Sequence, residues 1–146
     1  MKEFFKEVFE YHTHFNQLLL EQLQKYEAQL PQRTYPLFCH ILNAHQIWNA
    51  RILNETAIGV MDIHSFEESR DLDHTNYKTT LKILDSVSLN EIVTYTNSKQ
   101  KQFNNNVRDI LFHAANHAAH HKGQIVSDFR LAGIEPIVTD YIFYKR

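Results

Sequence analysis

Ten histidines in a chain of 146 residues are the side chains best placed to do chemistry, and four of them, His113, His117, His120 and His121, fall within nine positions. On a helix each residue advances ~100° about the axis. Measured from His117, that rotation puts His113 at about −40°, His121 at about +40°, His120 at about −60° and Gln124 at about −20°. All five share one face, while Asn116 and Lys122 point elsewhere. Residues four apart stand ~5–6 Å apart at Cβ, so two imidazoles can converge on one ion. A divalent ion with Zn–N bonds of ~2.0–2.1 Å then needs at least one more protein ligand. For a lone histidine a wet polar face is the better reading. A stripe of four is harder to assign that way, because neutral imidazoles gain little from stacking in water.

The segment around residues 36–55 supplies the further ligand. His40 shares a helical face with Ala44, Ile47 and Arg51, and His45 lies ~140° away on the same wheel. A site can take either histidine but not both with ease, and His45 reads better as a partly exposed or supporting residue. Cys39 adjoins His40, but neighbours on a helix diverge by ~100°, so a Cys–His catalytic pair is disfavoured and Cys39 reads as a small buried hydrophobe. Trp48 reads as core. Arg51 fits either an interhelical salt bridge or an anion-binding role.

Other chemistries are excluded by what the chain lacks. It has no Glu-x-x-His, so a di-iron carboxylate bundle fails, and no His-Glu-x-x-His, so a zincin protease fails. Three glycines cannot build a phosphate-cradling loop, and one cysteine allows neither an internal disulfide nor a Cys-based zinc module. A net charge of −2 disfavours a partner bound by phosphate neutralisation, so no nucleic acid is expected. No apolar run approaches the ~20 residues of a membrane span, and Met1–Glu7 mixes both charges, so the expectation is a cytoplasmic protein without membrane contact.

Four helices are needed to position these residues. Phe4, Val8, Phe15, Leu19, Leu23, Tyr26 and Leu30 recur at largely helical spacing, which predicts a helix over 2–30 ended by Pro31. Thr34-Tyr35-Pro36 starts a second over 36–56, with Gly59 breaking the pattern. Residues 57–73 are polar and show little pattern beyond a short helical stretch near Phe66, and a third helix is predicted over 70–86. Ile92–Thr96 reads as a strand, Asn97-Ser98-Lys99 as a turn and Gln100–Phe103 as a returning strand. Asn105 or Asn106 caps a fourth helix over 106–132, closed by Gly133 and Pro136. The tail after Ile137, rich in Ile and Tyr, should pack on the helices. This is an all-α chain, read as a single four-helix bundle over 1–146 with a small hairpin before the last helix. Phe5, Phe9, Leu18 and Leu20 exceed what one apolar stripe needs, which predicts a homodimer.

The segment Leu111 to Ile125, with Asn116-His117, then His121-Lys122-Gly123-Gln124, resembles the signature helix of the DinB/YfiT superfamily. Phe129-Arg130-Leu131-Ala132-Gly133 fits the Leu-Arg-x-x-Gly that follows it, and Pro136 with Asp140-Tyr141 fits the usual ending. His40 to Arg51, a His followed by Trp48 and Arg51, resembles the second helix. Lys122 stands where Arg is usual and Phe129 where Leu is usual. The resemblance covers nearly the whole chain. It implies an up-down-down-up bundle, commonly dimeric, with a divalent metal held by three histidines. Matched by position these are His40, His117 and His121, leaving His113 and His120 as neighbours. Gln124 and Asn43 are the nearest polar groups to steady the outer ring nitrogens.

Three protein ligands leave an open coordination position. Characterised relatives include metal-dependent S-transferases that use low-molecular-weight thiols. The resemblance therefore implies a thiol cofactor, a small-molecule substrate, and Arg51 as a hold on an anionic thiol. A metal-dependent hydrolase and a non-catalytic metal-binding stress-response bundle are the alternatives. An all-imidazole site suits Zn or Ni first, with Fe, Cu or Mn open. Because ligating imidazoles must be neutral, binding is expected to weaken as pH falls through about 6.5.

Overall fold

The computed structural model describes residues 1–97 and 99–146. Ser98, part of the expected turn, lies outside the described residues. The chain is predominantly helical: α1 is Lys2–Tyr26, followed by one 3-10 turn at Glu27–Gln29, α2 is Thr34–Leu53 and α3 is Phe66–Ser86. A hairpin of β1 (Ile92–Thr96) and β2 (Gln102–Asn106) leads into α4 (Val107–Leu131), and a short α5 (Tyr141–Tyr144) ends the chain. The expected helix through the histidine stripe is therefore continuous.

Two boundaries moved for identifiable reasons. The α2 helix stops at Asn54, which adopts the left-handed conformation at φ 54°, well before Gly59. An Asn C-cap does the work there, since its short polar side chain tolerates positive φ. The α3 helix begins four residues earlier than expected because Ser65 and Glu68 form a capping box: the Glu68 N–H donates to Ser65 Oγ, and the Ser65 N–H donates to Glu68 Oε2. The second strand also runs later than expected, pairing Tyr95 with Phe103 and Ile92 with Asn106. Asn106 then caps α4 by accepting the Asp109 N–H at 2.8 Å. Gly133, at φ 73°, closes α4.

The inward face of α1 is shifted by one residue near its start. Phe5, Phe9 and Leu20 are buried, whereas Phe4 is 56% exposed. Three of the four residues taken as surplus on α1 thus fill the core, with Leu18 only half-buried, and that argument for a second copy is weakened.

Three polar clamps set which helices pair. Buried Asp73 of α3 accepts from Thr13, Asn16 and Gln17 of α1. Asn49 of α2 donates to the Asn76 carbonyl and accepts from Thr80 of α3, while Asn76 donates to the Leu42 carbonyl. Buried Asp128, near the end of α4, accepts from Arg33 and Thr34 at the start of α2. The last contact, with Trp48 against His113, makes α2 and α4 antiparallel neighbours. Apolar side chains fill both ends: Leu19, Phe38, Leu42 and Phe129 belong to one cluster, Phe9, Ile52, Leu84 and Leu111 to the other. Tyr11 ties the tail down by donating to the Thr139 carbonyl and packing edge-on against Tyr141. No helix among the described residues is long and apolar enough to cross a membrane.

Candidate metal centre

Antiparallel pairing of α2 and α4 decides which histidines meet. His40, in the second turn of α2, lies opposite His117 and His121 in the middle of α4. His40 Nε2 is 3.2 Å from His117 Nε2, and His121 Nε2 is 3.1 Å from the same atom. One ligand atom from each of the three lies within 4.8 Å of the others, so the trio could hold a metal ion.

The outer nitrogens show which lone pairs face inward. His40 Nδ1 is 3.2 Å from the Val60 carbonyl, which can only accept, so Nδ1 carries the proton and Nε2 is bare. His121 Nδ1 donates to Gln124 Oε1 at 2.7 Å, with the same consequence. A proton on His117 Nε2 can satisfy only one of its two neighbours. At least one bare ring nitrogen is left without a donor, and a cation between the three gives each inward lone pair a partner. Bonds of ~2.0–2.1 Å in tetrahedral geometry put two nitrogens roughly 3.3–3.4 Å apart, close to the spacing found. The donor set therefore fits a divalent ion of imidazole preference.

Electrostatics keep His117 and His121 in their ligating form. Burial, then the neighbouring His121 and His40, push His117 down to about 4. Burial also lowers His121, against the opposing hydrogen bond to Gln124. Protons thus compete at lower pH than an ordinary imidazole value near 6.5 implies.

Residues 13–146 match the DinB family. The chain belongs to the DinB family. No curated protein matches it.

Asn43 of this DinB protein works one step further out than its sequence position implied. Its amide donates to the Val60 and Asp62 carbonyls and its oxygen accepts from His64, so it shapes the loop whose carbonyl holds His40. Nothing in the composition of 57–65 signals this, because the contact is made by backbone carbonyls. His45 is on another side of α2. Its ring stacks on Phe9 at 5.0 Å, and Nε2 donates to Thr80, whose own proton goes to Asn49. Burial and the Lys122 charge push it down to about 3. It neither joins nor supports the trio.

Farther along α4, His113 stands 5.7 Å from the His117 ring and 5.0 Å from Trp48, centroid to centroid. Trp48 is half-buried and, with Tyr95, Asn105, Asp109 and His113, lines a cavity of about 310 Å³. It packs against the core, as its sequence setting implied, and also forms a wall of this cavity. Arg51 lies over both Trp48, at 4.3 Å, and Tyr95, at 4.7 Å. None of the ion pairs of the described residues includes Arg51, so the interhelical salt bridge is not found. His120 is exposed and packs edge-on against His121 at 5.0 Å. Cys39 is fully buried, as its sequence setting implied.

Proposed function

We propose that His40, His117 and His121 hold one divalent metal ion, and that this DinB protein uses the site to join a low-molecular-weight thiol, through its sulfur, to an electrophile. The observation that carries the reading is the convergence of three Nε2 atoms with the outer nitrogens of His40 and His121 fixed by acceptors. A bound divalent ion would supply the Lewis acidity that favours a thiolate at neutral pH. The chain's own groups do the rest. Arg51, braced by Trp48 and Tyr95, receives an anionic group of the thiol. His113, kept neutral by burial and by Arg51, accepts the thiol proton. The sulfur then forms a bond to the electrophilic carbon, and the leaving group departs with the bonding pair and takes up the proton.

The pairing of the helices supports an up-down-down-up bundle as the frame of this site, with the three clamps fixing its neighbours. The cytoplasm suits a small thiol as co-substrate.

Metal analysis of protein purified without an affinity tag or a nickel column tests the site, with one equivalent expected. A panel of thiols against a generic electrophile tests the chemistry, with turnover expected only when metal is present. Ester hydrolysis without thiol turnover would replace transfer by hydrolysis. Metal without either activity would leave a binding bundle.

A further inference from the structure

Beside the trio lies a second cavity, of about 400 Å³, and His40 and His121 form part of its wall. Its other walls are Pro36 and Leu37 from the first turn of α2 and Met61 from the loop before α3. Met61 is 68% exposed, and its neighbours Val60 and Ile63 are at least half exposed. An apolar strip on a loop is costly to leave in water unless something covers it. The loop does not hang free, because Asn43 holds the Val60 and Asp62 carbonyls.

The charges around this cavity are already matched. Arg33 is the one cation lining it, and its guanidinium is forked onto the buried Asp128 carboxylate at 2.5 and 3.1 Å. Gln124 spends its oxygen on His121. Its amide N–H groups have no protein partner among the described residues, which leaves donors at the cavity wall and, in the metal-free chain, no unmatched charge. A carboxylate entering the metal-free cavity would lose water without gaining a free cation, and an ammonium would meet an Arg33 already balanced. A neutral apolar body with one hydrogen-bond acceptor loses nothing of the kind.

We propose that this cavity is the electrophile subsite, and that it selects a neutral, apolar-bodied molecule bearing an acceptor such as a carbonyl oxygen. The inference rests on the metal-dependent transfer reading for the word electrophile. The selectivity itself rests only on the cavity. The apolar body lies against Pro36, Leu37 and Met61, the acceptor meets the Gln124 amide, and the reacting carbon faces His40 and His121. Charged groups of the thiol are then directed to the opposite end of the α2–α4 cleft, where Arg51 lacks a carboxylate.

The test uses two unreactive probes of one size, neutral 2-acetylnaphthalene and anionic 2-naphthoate, titrated into the full chain in metal-free and zinc-loaded forms and followed by amide chemical shifts. The neutral probe is expected to shift Leu37, His40, Met61 and Gln124, and to bind metal-free protein at least about tenfold more tightly than naphthoate, the scale of burying an unmatched charge. Met61→Glu, on an exposed loop position, should weaken the neutral probe by about tenfold for the same reason and leave the circular dichroism unchanged. Leu37→Gln provides a milder loss in the same direction. Naphthoate binding metal-free protein as tightly as the neutral probe, or shifts confined to residues outside this cavity, overturns the proposal. Neither probe carries a thiol or a reactive centre, so the result stands apart from whether the chain binds metal or joins a thiol to an electrophile.

Discussion

At the scale of single residues, the ring nitrogens of His40 and His121 are committed outward, and that commitment makes substitution informative. His121→Ala removes a proposed ligand and leaves His117 with one partner, and His40→Ala removes the ligand proposed from α2. Each should abolish stoichiometric metal, while His45→Ala should leave it nearly intact, since that ring bonds Thr80. Metal content measured on untagged variants checks this, and loss of metal in His45→Ala alone would exchange the α2 ligand. The pH dependence has a definite sign. A histidine ligates only when neutral, and burial with neighbouring imidazoles pushes His117 down to about 4. Protons therefore begin to displace the ion well below the value of ~6.5 expected of a free imidazole. Zinc retained as the pH falls through 6.5 and released at lower pH is the expected outcome; half-release at 6.5 would show that His117 is not held as described.

At the scale of elements, a polar layer lies within the bundle. Lys122, fully buried on α4, donates to His12 Nδ1 at 2.8 Å and to the His12 carbonyl of α1 at 3.1 Å. Burial pushes this lysine down to about 7, partly opposed by Asp73. Removing one member of such a pair leaves the other unsatisfied, so Lys122→Met alone should cost about 1–3 kcal/mol. The double variant His12→Leu with Lys122→Met removes both desolvated groups and should recover most of that loss, read as a positive coupling in a urea double-mutant cycle. His12 and His45 also set an acid limit. Burial lowers both, His45 to about 3. Unfolded imidazoles take up protons from about 6.5 downward and the folded ones do not, so the unfolded state binds more protons in that window. Stability should fall with pH by about 1.4 kcal/mol per unit for each such histidine, from about 6.5 toward the folded values. Unfolding midpoints at pH 7.5 and 5.5 check this, and a flat profile would mean that these rings are protonated in the folded chain.

At the scale of the whole molecule, apolar surface collects where α1, α4 and α5 meet. Phe4, Phe112, Ile142 and Phe143 are each more than half exposed, and Phe4 and Phe112 line one groove with Tyr141. We propose a homodimer through this face, since a self-complementary contact is the simplest cover for such a patch. The support differs from the surplus residues of α1, because Phe5, Phe9 and Leu20 are spent on the core. Sedimentation should give a dimer at high micromolar concentration, and Phe112→Glu should shift it to monomer without loss of helicity. A monomeric parent chain would reject it.

The histidine stripe was legible in the sequence because an unbroken helix turns i, i+4 spacing directly into a shared face, whatever surrounds it. The four long helices were legible for the same reason: apolar periodicity and caps such as Asn106 are local. The choice among candidate ligands was not local. Spacing left His40 and His45 both open, and family register favoured His40. In the folded chain the Asp128 clamp and the Trp48–His113 contact align α2 antiparallel to α4 and turn His45 toward Phe9 and Thr80. Arg51 followed the same rule. Its charge was evident from the chain, but its place over Trp48 and Tyr95 depended on a hairpin returning to α2 from more than forty residues away. The shifted inward face of α1 was likewise decided by partners, because a helix with apolar residues at adjacent positions, Phe4 and Phe5, has two nearly equal faces. Only packing against α3 and α4 selects the one that buries Phe5 and Phe9 and leaves Phe4 in solvent.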